Sequence, residues 1–181
     1  METTRSIRAR LVAVSALLTA AAAPRRQPWS DEVIAIPGNE QAAALDGVLA
    51  SLLDLSLVAK QAHWNVVGPR FSALHALLGD LAALARESAD RVAERAAILG
   101  HPPDGRAATI AALSSLPTFD AAVLHNGEVI TAFGAILDAV ADHIHGALEA
   151  FDKDFVTLNL FTSVLAGVER FAWMLRAQSD R

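Results

Sequence analysis

The chain runs to 181 residues, enough for one domain with a sizeable core. Hydrophobic residues make up 53% and charged residues 19%, which excludes a disordered chain, and alanine and leucine outweigh the β-branched residues, which favours helix. There is no cysteine, so disulfides, thiolate metal sites and thiol nucleophiles are excluded.

The net charge of −5 hides an asymmetry. Arg5, Arg8, Arg10, Arg25 and Arg26 against Glu2 give the first 26 residues +4, which leaves −9 for the remainder. A basic arm on an acidic body suits neutralisation of nucleic-acid phosphates, and a solvated tail is the alternative. The same stretch, RSIRARLVAVSALLTAAAAP, has the basic, apolar, alanine-rich order of a secretory signal. Proline after the last alanine is a poor cleavage context, so a cytoplasmic protein is expected, with secretion the alternative. The apolar run is too short to span a membrane, and no membrane partner is expected.

PRRQPWSDEVIAIPGNE is interrupted by Pro24, Pro28 and Pro37 and reads as linker, so residues 1–38 form an arm and 39–181 the folded domain. A first helix starts at Gly38-Asn39 with Asn39 as its cap. Leu45, Val48, Leu49, Leu52, Leu53, Leu55 and Val58 form its apolar stripe, which runs to about Val66 before Gly68-Pro69 stops it. FSALHALLGDLAALARESADRVAERAAILG is a second long helix that ends at Gly100. HPPDGRAA is loop, and ATIAALSSLP permits a short helix ended by Pro117. A third long helix opens near Asn126, and a fourth, VTLNLFTSVLAGVERFAWMLRAQ, follows Asp152-Lys153-Asp154. No strand alternation and no internal repeat is present. The pattern is all-α: a four-helix bundle whose long middle connection, carrying the short extra helix, suits a crossover.

A di-iron centre inside such a bundle needs Glu-x-x-His pairs on two helices, and none occurs here. The polar residues that could ligate a metal lie elsewhere. His63 ends the first helix, His75 opens the second, and Asp90 and Glu94 lie near the end of the second. Asp90 and Glu94 are four apart and share a face. His75 lies on a similar side, but fifteen residues at ~1.5 Å put it roughly 22 Å from Asp90. One subunit cannot bring both ends to one ion. Two antiparallel copies of the second helix about a twofold axis can, with His63 and His75 from one chain and Asp90 and Glu94 from the other. That donor set suits iron, manganese or zinc, and ordinary surface polar groups are the alternative. His143 and His145 fall on different helix faces and read as non-ligands, and Asp54 and Lys60 read as structural or interfacial.

KQAHWNVVGP, followed by F-x-x-x-H, then ADRVAER and LG, resembles the Dps family, the ferritin-like DNA-binding proteins from starved cells. The likeness covers residues 47–105 and continues through TIAALSSLP and ERFAWMLRAQ, while the first forty residues take no part. The resemblance implies a ferritin-like subunit, twelve of which form a hollow shell. It implies a ferroxidase that binds Fe(II) at dimer interfaces and oxidises it to Fe(III) with hydrogen peroxide or oxygen. It further implies that ferric mineral is stored inside, that DNA is protected, and that the iron is non-haem with no organic cofactor. The family's histidine ligands fall on His63 and His75, and its carboxylates on Asp90 and Glu94 of the neighbouring subunit. Trp64 is implied as a wall beside His63 and a sink for radicals, with plain interface packing the alternative. Glu149, Asp152 and Asp154 fall where the family lines acidic pores.

One position departs from the family. An acidic ligand is usual four residues after the second histidine, where this chain has Gly79, with Asp80 one residue later and turned by ~100°. Water or Glu87 is left to substitute. Glycine inside a helix costs about 1 kcal/mol relative to alanine and gains nothing obvious there. A shell that binds DNA but has weakened or lost oxidation is therefore the alternative function.

Overall fold

The computed structural model describes residues 38–179. The arginines of the arm, Arg5, Arg8, Arg10, Arg25 and Arg26, lie outside the described residues. The chain proceeds through α1 (Asn39–Asn65), β1 (Val66–Val67), α2 (Phe71–Ile98), α3 (Ala107–Leu113), β2 (Leu124–His125), α4 (Asn126–Leu148), a 3-10 turn (Glu149–Phe151) and α5 (Phe155–Arg176). The apolar stripes read from the sequence become the interior: Leu45, Leu52, Leu55, Leu74, Leu78, Leu81, Phe133, Ile136, Leu137, Ile144 and Phe161 are almost wholly buried. α1 packs along α2 and against α4, while α5 packs on α4 and α2, which closes the four-helix layer. Phe133 meets Phe119 of the crossover edge to face with centroids 5.5 Å apart. The all-α, ferritin-like bundle with a short extra helix in its long connection is the observed architecture.

The helix ends follow local chemistry. α1 begins one residue earlier than the Asn39 cap expected: Gly38 is the cap, and Gln41 Oε1 accepts its N–H at 3.1 Å. α5 is capped by Asp154, whose carboxylate accepts from the N–H groups of Val156 and Thr157. The sequence reading found no strand, whereas Val66–Val67 pairs in parallel with Leu124–His125. Two residues are too few to show alternation, yet this ladder holds the crossover against the α1–α2 turn.

That turn sets how α1 hands over to α2. Gly68 has φ 121°, a left-handed region that favours glycine. A Cβ there would stand 2.6 Å from Asn126 Oδ1, which accepts the backbone N–H of Arg70 at 2.9 Å. Glycine thus lets the chain reverse tightly against the start of α4. α1 and α5 are long and apolar enough to cross a membrane, but 50% and 44% of their apolar windows are buried in the bundle.

Candidate metal centre

The reversal at Gly68 brings the end of α1 beside the start of α2, and with it His63 beside His75. Their imidazoles stack with centroids 3.6 Å apart and an interplanar angle of 22°. Each ring also bonds to the other residue's backbone. His63 Nδ1 donates to the His75 carbonyl at 2.6 Å, and His75 Nδ1 donates to the His63 carbonyl at 2.8 Å. A carbonyl can only accept, so each Nδ1 carries the hydrogen. In the neutral ring, Nε2 then holds the lone pair, which is the tautomer a metal ligand needs. The His63 carbonyl is available because it belongs to the last turn of α1, where carbonyls have no partner further along the helix. Phe71 backs the pair, its ring 5.1 Å from that of His75.

Asp90 and Glu94 lie exposed towards the other end of α2. The structure therefore unites the two histidines and keeps both acids away from them. Among the described residues, no group of three or more histidine, aspartate or glutamate side chains could hold a metal. The donor types are ones that suit iron, and within one chain the histidines and the acids stay at opposite ends of α2. Glu87 and Asp80 are exposed, and Asp80 lines a separate groove with Trp173 and Met174.

Trp64 is 67% exposed, with the Lys60 ammonium 6.0 Å from its ring centroid. It borders a 620 Å³ groove between α1 and α2 lined with Leu57, Gly79, Ala82, Arg86 and Phe119 among others. At Gly79, where the sequence reading found no gain, α2 passes close to the His63 ring. A Cβ at Gly79 would lie 3.3 Å from His63 Cε1 and Nδ1, so the bare backbone is what His63 rests against.

Asp154, assigned by resemblance to a pore, has a structural task. Arg95 Nη2 donates to its two oxygens at 2.9 and 2.8 Å, and the Thr157 hydroxyl donates to Oδ2. Burial opposes ionisation, but the bonds from Thr157 and Arg95 and the arginine's charge outweigh it and lower the carboxyl pKa to about 2. Glu149 and Asp152 are exposed. His143 meets Ser51 at 2.6 Å and Ser115 at 3.1 Å, Asp54 accepts from Ser114, and His145 is exposed. Sequence reasoning missed the tie made by Ser114 and Ser115, which fastens the crossover to α1 and α4; hydroxyls in a loop carry no spacing signal.

Comparison with known proteins places the chain in a family. A family described as "Ferritin-like domain" matches residues 42–181. DNA protection during starvation protein from Agrobacterium fabrum is 30% identical over 149 residues, covering 78% of this chain and 91% of that one. The chain belongs to the Dps family. DNA protection during starvation protein 2 of Deinococcus radiodurans is 39% identical over 135 residues, which span 74% of this chain but 56% of that relative's length. The solved structure of Dps from Microbacterium arborescens in the high iron form superposes with a TM-score of 0.73 at 32% identity, covering 80% of this chain and 97% of that one.

Proposed function

We propose that this Dps protein is a ferroxidase and iron store, with Fe(II) as substrate at the interface of two subunits. The observation that carries the reading is the reciprocal His63–His75 bonding, which fixes the tautomer that leaves each Nε2 free for a metal. Asp90 and Glu94 of a second copy complete the donor set when two α2 helices run antiparallel. Trp64 and the groove beside it then belong to the interface. Each of two ferrous ions gives one electron to hydrogen peroxide, which takes two protons and becomes two waters, so no hydroxyl radical is released; oxygen is the alternative oxidant. Ferric product accumulates inside a dodecameric shell in the cytoplasm, and exposed Glu149 and Asp152 supply negative charge that attracts incoming cations.

The test is anaerobic loading with Fe(II) followed by peroxide, compared with His63→Ala/Asp90→Ala. Rapid oxidation in the native protein and none above free iron in the variant is the expected result. Native protein no faster than free iron would overturn the reading. It would favour the alternative, a DNA-binding shell that has given up oxidation, to which the missing acid at Gly79 and the arginine arm both point.

A further inference from the structure

A contact through the α1–α2 face alone joins two copies and stops, because a twofold interface uses the same patch on both partners. A larger closed assembly needs a second surface. Trp173 on α5 marks one: it is 64% exposed and walls a 310 Å³ groove between the first half of α2 and the end of α5. Ala73, Ala76 and Ala177 line the groove with short side chains, Met174 adds a pliable one, and Asp80 contributes a carboxylate. Adjacent residues of α2 thus serve different surfaces, Gly79 the groove beside Trp64 and Asp80 this one. An indole and a carboxylate in one groove suit a guanidinium, which stacks flat on the ring and donates in a fork to the two oxygens. The same patch carries that cation. Arg176 is exposed and lies three residues from Trp173, hence on the same face of α5. Among the described residues, neither the Asp80 carboxylate nor the Arg176 guanidinium has a hydrogen-bond or ion-pair partner. Arg170, one turn back, is by contrast held 5.0 Å from the Phe171 ring centroid.

We propose that the Trp173 patch is a second subunit contact, in which Arg176 of one copy enters the Trp173–Asp80 groove of another. The partner is this same chain, because one patch holds both the donor and its acceptor and is therefore complementary to itself. Glu169 and Arg170, exposed one turn before Trp173, give its rim both signs of charge. Tryptophan and arginine are also the side chains that carry most interface energy when neutral neighbours exclude water from them, and the alanines supply that surround. The inference rests on the proposed shell having more than two subunits, and not on its iron chemistry.

The test is native mass spectrometry of the full-length protein as purified, over a dilution series, beside Trp173→Ala, Arg176→Asp and Asp80→Arg. The native chain is expected as an assembly of more than two subunits. Each single variant loses that assembly in favour of dimers, with the dissociation constant for the larger species raised by about tenfold or more. The exchanged pair Asp80→Arg/Arg176→Asp restores the native size, since it returns a cation and a carboxylate to the patch in reversed places. A general loss of folding would not be repaired by that exchange, and far-ultraviolet circular dichroism of the single variants checks that the helices persist. A native protein that stops at the dimer overturns the inference. So do single variants that hold the native size throughout the dilution, or an exchanged pair no better assembled than either single variant. Loss of the ferroxidase reading leaves a different mark: assembly and its rescue as described, with iron oxidation no faster than in free solution.

Discussion

Asp154→Asn severs the clamp between the end of α2 and the start of α5. Asparagine caps a helix nearly as well as aspartate, so the loss comes from the charge and from Oδ2 as an acceptor for Thr157 and Arg95. The two side chains are 15% and 22% exposed, which places the pair between a surface bridge and a buried one. The carboxyl pKa falls from 3.8 to about 2. At ~1.4 kcal/mol for each pKa unit, the folded state gains about 2 kcal/mol from ionising Asp154, in the range of a bond to a charged group. Equilibrium urea unfolding at pH 7 and fixed protein concentration should show the variant weaker by that amount. The pKa is depressed on folding, so the contribution is complete above about pH 4 and is lost as the pH falls through about 2. The gap between native protein and variant therefore narrows between those values. A gap under ~0.5 kcal/mol at pH 7, or one that stays constant into acid, refutes the clamp as a stabilising element.

Phe133→Ala empties a fully buried site against Phe119 and costs about 3–5 kcal/mol in the same assay. Stability within ~1 kcal/mol of native would show that the crossover does not close over the core at that point. Deleting residues 1–26 removes a charge of +4, so duplex DNA affinity at low salt should fall, with a shallower dependence of log K on log salt. Equal affinity and slope in a gel-shift titration would remove the arm from any DNA role.

What was legible in the sequence was whatever depends on period and punctuation. The Leu45–Leu49–Leu52 stripe is buried as its spacing requires, and Gly68-Pro69 marks the reversal between α1 and α2. The convergence of His63 and His75 was legible because they flank that reversal. Their mutual bonding was not, since it depends on how two helices rotate against each other. Gly79 is the sharper case. A glycine's purpose lies in what another element sets against it, so one helix read alone shows only its cost. Asp154 shows the same limit in part. Aspartate three residues before Thr157 is a visible cap signal, but Arg95, which gives the cap its strength, lies 59 residues away.

The division of α2 into a histidine end and an acid end has a thermodynamic consequence for the proposed site. Neither end holds three donors, and a continuous helix from Phe71 to Ile98 keeps them apart rigidly. Pairing two helices antiparallel completes two sites at once, because each chain gives its histidines to one and its acids to the other. Every ion bound then stabilises the interface, and every interface formed raises affinity for the ion, so metal uptake and assembly become one linked equilibrium. Within that equilibrium the His63–His75 bonding has a defined part. It holds half of the ligand set in place before the partner arrives, so dimerisation need supply only the carboxylates.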